Sequence, residues 1–184
     1  MQLVVADAGP LIALAVADVL PLVLLQFALR VPQAVLNECL SDSYAPGAGL
    51  IRELASRAGF TTISDDSIYK LDSAYMMGLG SGEIAVLSYA HQHRLVALVD
   101  ERRARRIAQQ LGVSVVGSGA VLLALKKSGA VSSIRPALAA WRTHGCDRHG
   151  VIRIRFGFIL SRRFCKQPHT AHAICHPIST NTKS

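Results

Sequence analysis

The hydrophobic positions of this chain change period repeatedly, from short unbroken apolar runs to stretches in which apolar residues return every three or four positions. Runs such as Leu3-Val4-Val5-Ala6 and Leu95-Val96-Ala97-Leu98-Val99 are too short for helices and read as strands buried on both faces. On this basis strands are predicted at 2–6, 28–31, 60–63, 95–99 and 113–116. Helices are predicted at 10–17, 19–26, 33–41, 48–58, 66–77, 82–93, 101–111, 119–127 and 133–142. Gly59, Gly112 and Gly129 each follow a helical stretch, where C-terminal caps belong. Short strands alternating with helices define an α/β fold, a parallel sheet covered by helices on both faces.

The alternation stops near residue 143. Beyond it the sequence turns to Arg, His, Cys, Pro and Thr, and only Val151 to Leu160 keeps a strand-like composition. A chain of 184 residues accommodates one domain with a substantial core. The organisation predicted is a domain over 1–143 and a divergent basic tail over 144–184, disordered or encoded out of frame.

Charge follows the same division. The net charge of +8 invites a nucleic-acid partner, yet residues 1–141 carry 12 Lys/Arg against 11 Asp/Glu, and residues 142–184 carry 8 against 1. The body is therefore near neutral, apart from the local cluster Arg102, Arg103, Arg105 and Arg106. Cys39 is the one cysteine of the body and reads as a small buried hydrophobe in a reducing compartment. In the tail, Cys165, His169, His172 and Cys175 have spacings that suit zinc but lack paired C-x-x-C arms, and an accident of composition explains them better. No segment reads as a signal peptide or a transmembrane helix, which predicts a cytoplasmic protein with no membrane partner.

Four acids then stand out by position. Asp7 ends the first strand, in Asp7-Ala8-Gly9-Pro10, with Pro10 suited to the first turn of a helix. Asp100 ends the apolar run 95–99 and precedes the charged helix from Arg102. Side chains at the carboxyl ends of parallel strands line the ligand crevice of open α/β sheets, so these two aspartates are candidates for one site. Glu38 lies beside the apolar face of the helix that Pro32 opens; a solvated helix carboxylate is the plain alternative. Glu83 follows Gly80-Ser81-Gly82, with Ser81 as the expected N-cap, and an acid complementing the helix dipole explains it equally well. Together, four carboxylates on a rigid scaffold are a set of hard oxygen ligands for Mg²⁺ or Mn²⁺. The chemistry such a set implies is metal-assisted phosphodiester hydrolysis. Gly117-Ser118-Gly119 lacks the third glycine of a dinucleotide-binding turn and carries little weight.

The segments Val5 to Leu14, Val31-Pro32 to Glu38, Gly80-Ser81-Gly82-Glu83 and Leu98 to Arg105 resemble, in order, those of PIN-domain proteins. The likeness is strongest to the small prokaryotic branch related to VapC-type toxins, and it extends through Val115 to Ala124, where this chain has Gly-Ser in place of the usual Gly-Thr. It covers roughly residues 2–143 and is specific as a set rather than motif by motif. The resemblance implies a PIN-like α/β/α sandwich with a five-stranded parallel sheet. It further implies a Mg²⁺- or Mn²⁺-dependent endoribonuclease acting on RNA, often a homodimer inhibited by a cognate antitoxin. Carried over by position, Asp7, Glu38, Glu83 and Asp100 match the acidic quartet as catalytic and metal-binding residues, although Asp is common where Glu83 stands. Glu101 and Ser118 are auxiliary candidates, with a helix-start acid and a helix cap as their respective alternatives. Arg102, Arg103, Arg105 and Arg106 are candidates for RNA phosphate contacts, with ordinary surface charge as the alternative. A non-catalytic PIN fold that binds RNA or a partner is the competing function, and another acid-cluster phosphoesterase a third.

Overall fold

In the computed structural model, which describes residues 2–69, 71 and 76–146, the chain leaves and returns to the middle of one sheet. The strands are β1 (Gln2–Ala6), β2 (Phe27–Pro32), β3 (Phe60–Ile63), β4 (Val96–Leu98) and β5 (Val115–Val116), in the spatial order β3-β2-β1-β4-β5. All four pairings are parallel. Among the described residues eight α-helices accompany them: α1 (Ala8–Val16), α2 (Leu20–Gln26), α3 (Gln33–Leu40), α4 (Ala48–Leu54), α5 (Ser81–His93), α6 (Arg102–Gln110), α7 (Ser118–Lys127) and α8 (Arg135–Thr143). This is the expected α/β/α sandwich with a five-stranded parallel sheet.

Strand order fixes where a ligand crevice falls. From β1 the chain steps outward to β2 and β3, then crosses back to place β4 against the other side of β1. The direction of winding reverses between β1 and β4, and the gap outside their carboxyl ends is the topological switch point. The register pairs Ala6 with Leu98, and the Asp7 N–H donates to the Leu98 carbonyl at 3.1 Å. Beyond the exposed Gln2 and Leu3 at the start of β1, both strands are apolar because both faces are covered: Val4, Val5, Ala6, Ala97 and Leu98 are all buried.

The helices seal this sheet with small aliphatic side chains and a single tryptophan. Leu11, Leu14, Leu87, Leu122 and Leu125 are fully buried, as is Trp141 of α8, whose indole N–H donates to the Ala13 carbonyl of α1. Gly59, Gly112 and Gly129 have φ of 92°, 71° and 77°, the left-handed geometry that caps require. No single described helix is long and apolar enough to cross a membrane; α1 and α2 together match in length and composition but are bent by 114°. Their buried residues belong to the core of this sandwich.

Three expectations need correction. The helix expected over 66–77 is, at its start, a single 3₁₀ turn, Asp65–Ser67, after which Ile68 is extended; residues 70 and 72–75 lie outside the described residues. Asp65, Asp66 and Ser67 favour local side-chain bonding over helix propagation, and here Ser67 bonds back to Ser64. Helix α4 stops at Leu54, four residues before the expected end. Ser81 is not the N-cap of α5, since Gly80 holds that place. The strand-like segment 151–160, the zinc-spaced residues Cys165, His169, His172 and Cys175, and nearly all of the tail lie outside the described residues.

Candidate metal centre

Asp7 is the floor of the site. It follows β1 directly, opens α1 with extended backbone (φ −90°, ψ 164°), and is buried to 7% exposure. Burial pushes its pKa up to about 7; the Ala8 N–H pulls the other way, and Glu83, Glu38 and Asp100 add charge repulsion that raises it further. All four acids singled out from the sequence therefore share one electrostatic neighbourhood, although they come from positions spread over 93 residues of chain.

Glu38 occupies the rim. Its helix α3 starts after Pro32, and the Asp65 carboxylate accepts the Ala34 N–H at 3.2 Å, so α3 is capped by an acid from the end of β3. Glu38 itself is exposed, yet its carboxylate turns toward Gly82 of α5. A Cβ at Gly82 would fall 3.1 Å from Glu38 Oε2 and 3.7 Å from Asp7 Oδ1. Both oxygens thus border one small space that exists because residue 82 has no side chain.

Glu83 and Asp100 form the walls, and each is partly engaged. Glu83 is half-buried and reaches back to accept the Gly80 N–H at 2.9 Å, which stabilises the start of α5. Burial raises its pKa; Gly80 opposes that rise, Glu101 and Glu38 reinforce it, and Arg103 offsets it. Asp100 accepts two bonds from Ser118, from the backbone N–H at 2.9 Å and from Oγ at 2.7 Å. Its pKa is also raised by burial, against the lowering effect of Ser118 and then of Arg105. Ser118 is accordingly not a helix cap in its own right: Gly117 holds the cap position, and the carboxylate of Asp100 receives the first donors of α7. Ser118 is fully buried against that carboxylate.

Glu101 plays its plainer role, as the N-cap of α6, accepting the Ala104 N–H at 2.7 Å. The four arginines separate. Arg105 donates to the Val99 carbonyl at 3.0 Å, beside Asp100, and Arg103 donates to the Met77 carbonyl next to Glu83. Arg102 and Arg106 are exposed. Cys39 is buried behind Glu38, with burial and the charges of Glu38 and Asp7 pushing its thiol up to about 12, so it is an inert packing residue.

Among the described residues, no group of three or more His, Cys, Asp or Glu side chains is drawn together tightly enough to hold an ion as it stands. Electrostatics explains this spread: like charges in a crevice repel, and Glu83 and Asp100 turn to N–H and O–H donors. The donor set nonetheless suits a hard divalent cation. It is all carboxylate, two of its members, Asp7 and Glu38, meet at Gly82, and its mutual repulsion is what a cation relieves.

A family model of the PIN domain matches residues 3–148. The chain belongs to the PIN-domain family. No curated protein matches it. PIN domains are generally nucleases, hydrolases that act on nucleic acid and typically use divalent metal ions, and this PIN domain presents its carboxylates at the sheet's switch point. Sequence reasoning passes over two contributors. Gly82 is detectable as a glycine in a first helical turn where Ala is the better helix former, a sign that space is needed. Asp65 is a third acid placed just after a strand, like Asp7 after β1, but it serves α3.

Proposed function

We propose that this PIN domain is a Mg²⁺- or Mn²⁺-dependent endoribonuclease that hydrolyses RNA phosphodiester bonds, with Asp7, Glu38, Glu83 and Asp100 as its metal-holding residues. The observation that carries this reading is the convergence of the other three acids on the buried Asp7. When bound, a divalent cation there supplies Lewis-acid polarisation of a phosphoryl oxygen and a water of lowered pKa. The protein's own residues do the rest. Asp7, in its apolar floor, binds the cation most strongly once deprotonated. Ser118 holds Asp100 in one rotamer through two bonds, so that this ligand needs little reordering. Arg103 and Arg105, which donate to backbone carbonyls on the Glu83 and Asp100 sides, would meet the phosphates flanking the scissile bond and orient the strand.

The resemblance to small prokaryotic PIN proteins extends the proposal to a cytoplasmic toxin, a homodimer silenced by a cognate antitoxin. Expression that arrests bacterial growth, and does so only with Asp7 intact, is the expected behaviour. The nuclease reading is tested by cleavage of single-stranded RNA with Mn²⁺ or Mg²⁺. Asp7→Asn and Asp100→Asn each abolish cleavage, and undiminished cleavage in both variants defeats the assignment. A second reading is a PIN fold that binds RNA or a partner without cutting it; the engagement of Glu83 by Gly80 and of Asp100 by Ser118 favours it. Salt-sensitive RNA retention with no cleavage at any Mn²⁺ concentration would establish that alternative.

A further inference from the structure

The near-neutral body of the chain gathers four of its twelve Lys/Arg between positions 102 and 106. They do not all face the acids. Arg102, Arg105, Arg106 and Gln109 form one wall of a shallow depression of about 560 Å³, and the chain from Gly112 to Val115 forms the other. The depression lies between α6 and the chain that leads into β5.

Two features give it a ligand chemistry. Among the described residues β5 is the edge strand, and the carbonyls of Ser114, just before it, and of Val116 accept from Ala97 of β4 and from Val99, just after β4. The alternation of a parallel ladder turns the Val115 carbonyl and N–H outward, into the depression. Guanidinium groups beside a free backbone edge suit a chain that offers phosphates together with hydrogen-bonding bases. The second feature is continuity. Arg105 lines the depression, and at Gly117 a Cβ would fall 2.9 Å from its Nη1 and 2.8 Å from Asp100 Oδ1. One side chain therefore joins the depression to the acid cluster.

We infer that the α6–β5 depression is a secondary binding site for the sugar-phosphate backbone of single-stranded nucleic acid, taking the strand as it leaves the acid cluster past Arg105. This rests on the nuclease reading for the direction of the strand but not for its binding. The site sets affinity for strands long enough to reach beyond the scissile bond. A nucleotide or dinucleotide held at the acids alone gains nothing from it.

The test is binding of a single-stranded RNA to the full chain with Ca²⁺ in place of Mg²⁺, a weaker Lewis acid that takes oxygen ligands but leaves the strand uncut, over a series of salt concentrations. Arg102→Gln/Arg106→Gln weakens binding of a long strand about tenfold and flattens the logarithmic salt dependence by about 0.7 for each phosphate left without a cationic partner. Binding of a dinucleotide by this variant matches that of the unmodified chain. The Arg102→Lys/Arg106→Lys variant keeps the salt slope, which separates loss of charge from loss of fold. Long-strand affinity and slope unchanged in the Gln variant would overturn the inference. So would loss of binding to a polyglutamate peptide with strand binding intact, which would make the depression a protein-docking site. Cleavage absent from the unmodified chain, with strand binding still sensitive to Arg102 and Arg106, sinks the nuclease reading alone.

Discussion

At the scale of the residue, Asp7 decides how this protein responds to pH. Unfolded, its carboxyl titrates near 3.8; folded, near 7. Between those values the folded state keeps a proton that the unfolded state has released, so cation-free stability falls as pH rises through this window, by about 4 kcal/mol at most. Urea denaturation in a chelator should show this decline from pH 4 to pH 7, and Asp7→Asn should flatten it. Metal affinity has the opposite sign, because the ligand must lose its proton, so Mn²⁺ binding and cleavage weaken as pH falls below about 7. Gly82 offers a second test. Gly82→Ala adds a methyl group 3.1 Å from Glu38 Oε2 and 3.2 Å from Cγ2 of the buried Val35, a crowding that the gain in helix propensity of about 1 kcal/mol offsets. Mn²⁺ titration should find affinity reduced about tenfold, while thermal denaturation finds little or no loss of stability. The prominence of Asp7 and Asp100 is legible in the sequence because each ends an apolar run. The space at Gly82 is not, since it is created by α3 and α5 meeting, elements about 40 residues apart along the chain.

At the scale of the element, the ends of helices do most of the positioning. Asp65 caps α3, Glu83 stabilises the start of its own helix α5, Glu101 caps α6, and Asp100 receives the first donors of α7. Two of the four candidate ligands thus also stabilise helix starts, a coupling that the sequence presents only as competing explanations for each acid. Ser118→Ala tests it: losing the Oγ donor removes one of the effects that hold the Asp100 pKa down, so the pH at which Mn²⁺ binds moves upward. Following Mn²⁺-induced thermal stabilisation against pH reads this shift directly, and no shift would show that the Ser118 backbone N–H alone suffices. The segment before α5 is held by Arg103, whose guanidinium packs where a Cβ at Gly78 would lie. Gly78 has φ of 78°, so Gly78→Ala should cost about 1–2 kcal/mol in denaturation experiments and free Arg103 from the Met77 carbonyl. The start of the stretch 66–77 imitates a helix in its composition, because acids and serine suit a first helical turn, while in the fold Ser67 bonds back to Ser64 and the neighbouring Asp65 caps α3.

At the scale of the whole molecule, strand identity and parallel order follow from apolar runs separated by helices, and the observed strand limits differ from the expected ones by one or two residues. Spatial order does not follow, because nothing in the local sequence states that β4 returns to the side of β1. It is the tertiary bonding of Asp7 to Leu98 and the register of Ala6 with Leu98 that fix the switch point. The last of the described helices, α8, closes the same core, with Trp141 fully buried against α1. Trp141→Ala should cost about 3–5 kcal/mol in equilibrium unfolding, chiefly through the cavity it leaves, since the Ala13 carbonyl still accepts the Ala17 N–H.

The central place of β1 beside β4 also has a meaning in time. During synthesis the N-terminal strand emerges some ninety residues ahead of the partner that completes its site, and Ser118, which fixes Asp100, emerges later still. A nascent chain carrying Asp7, Glu38 and Glu83 therefore lacks an assembled centre until β4, β5 and the start of α7 have left the ribosome. The winding order of the sheet therefore delays assembly of the candidate site until most of the domain has been made.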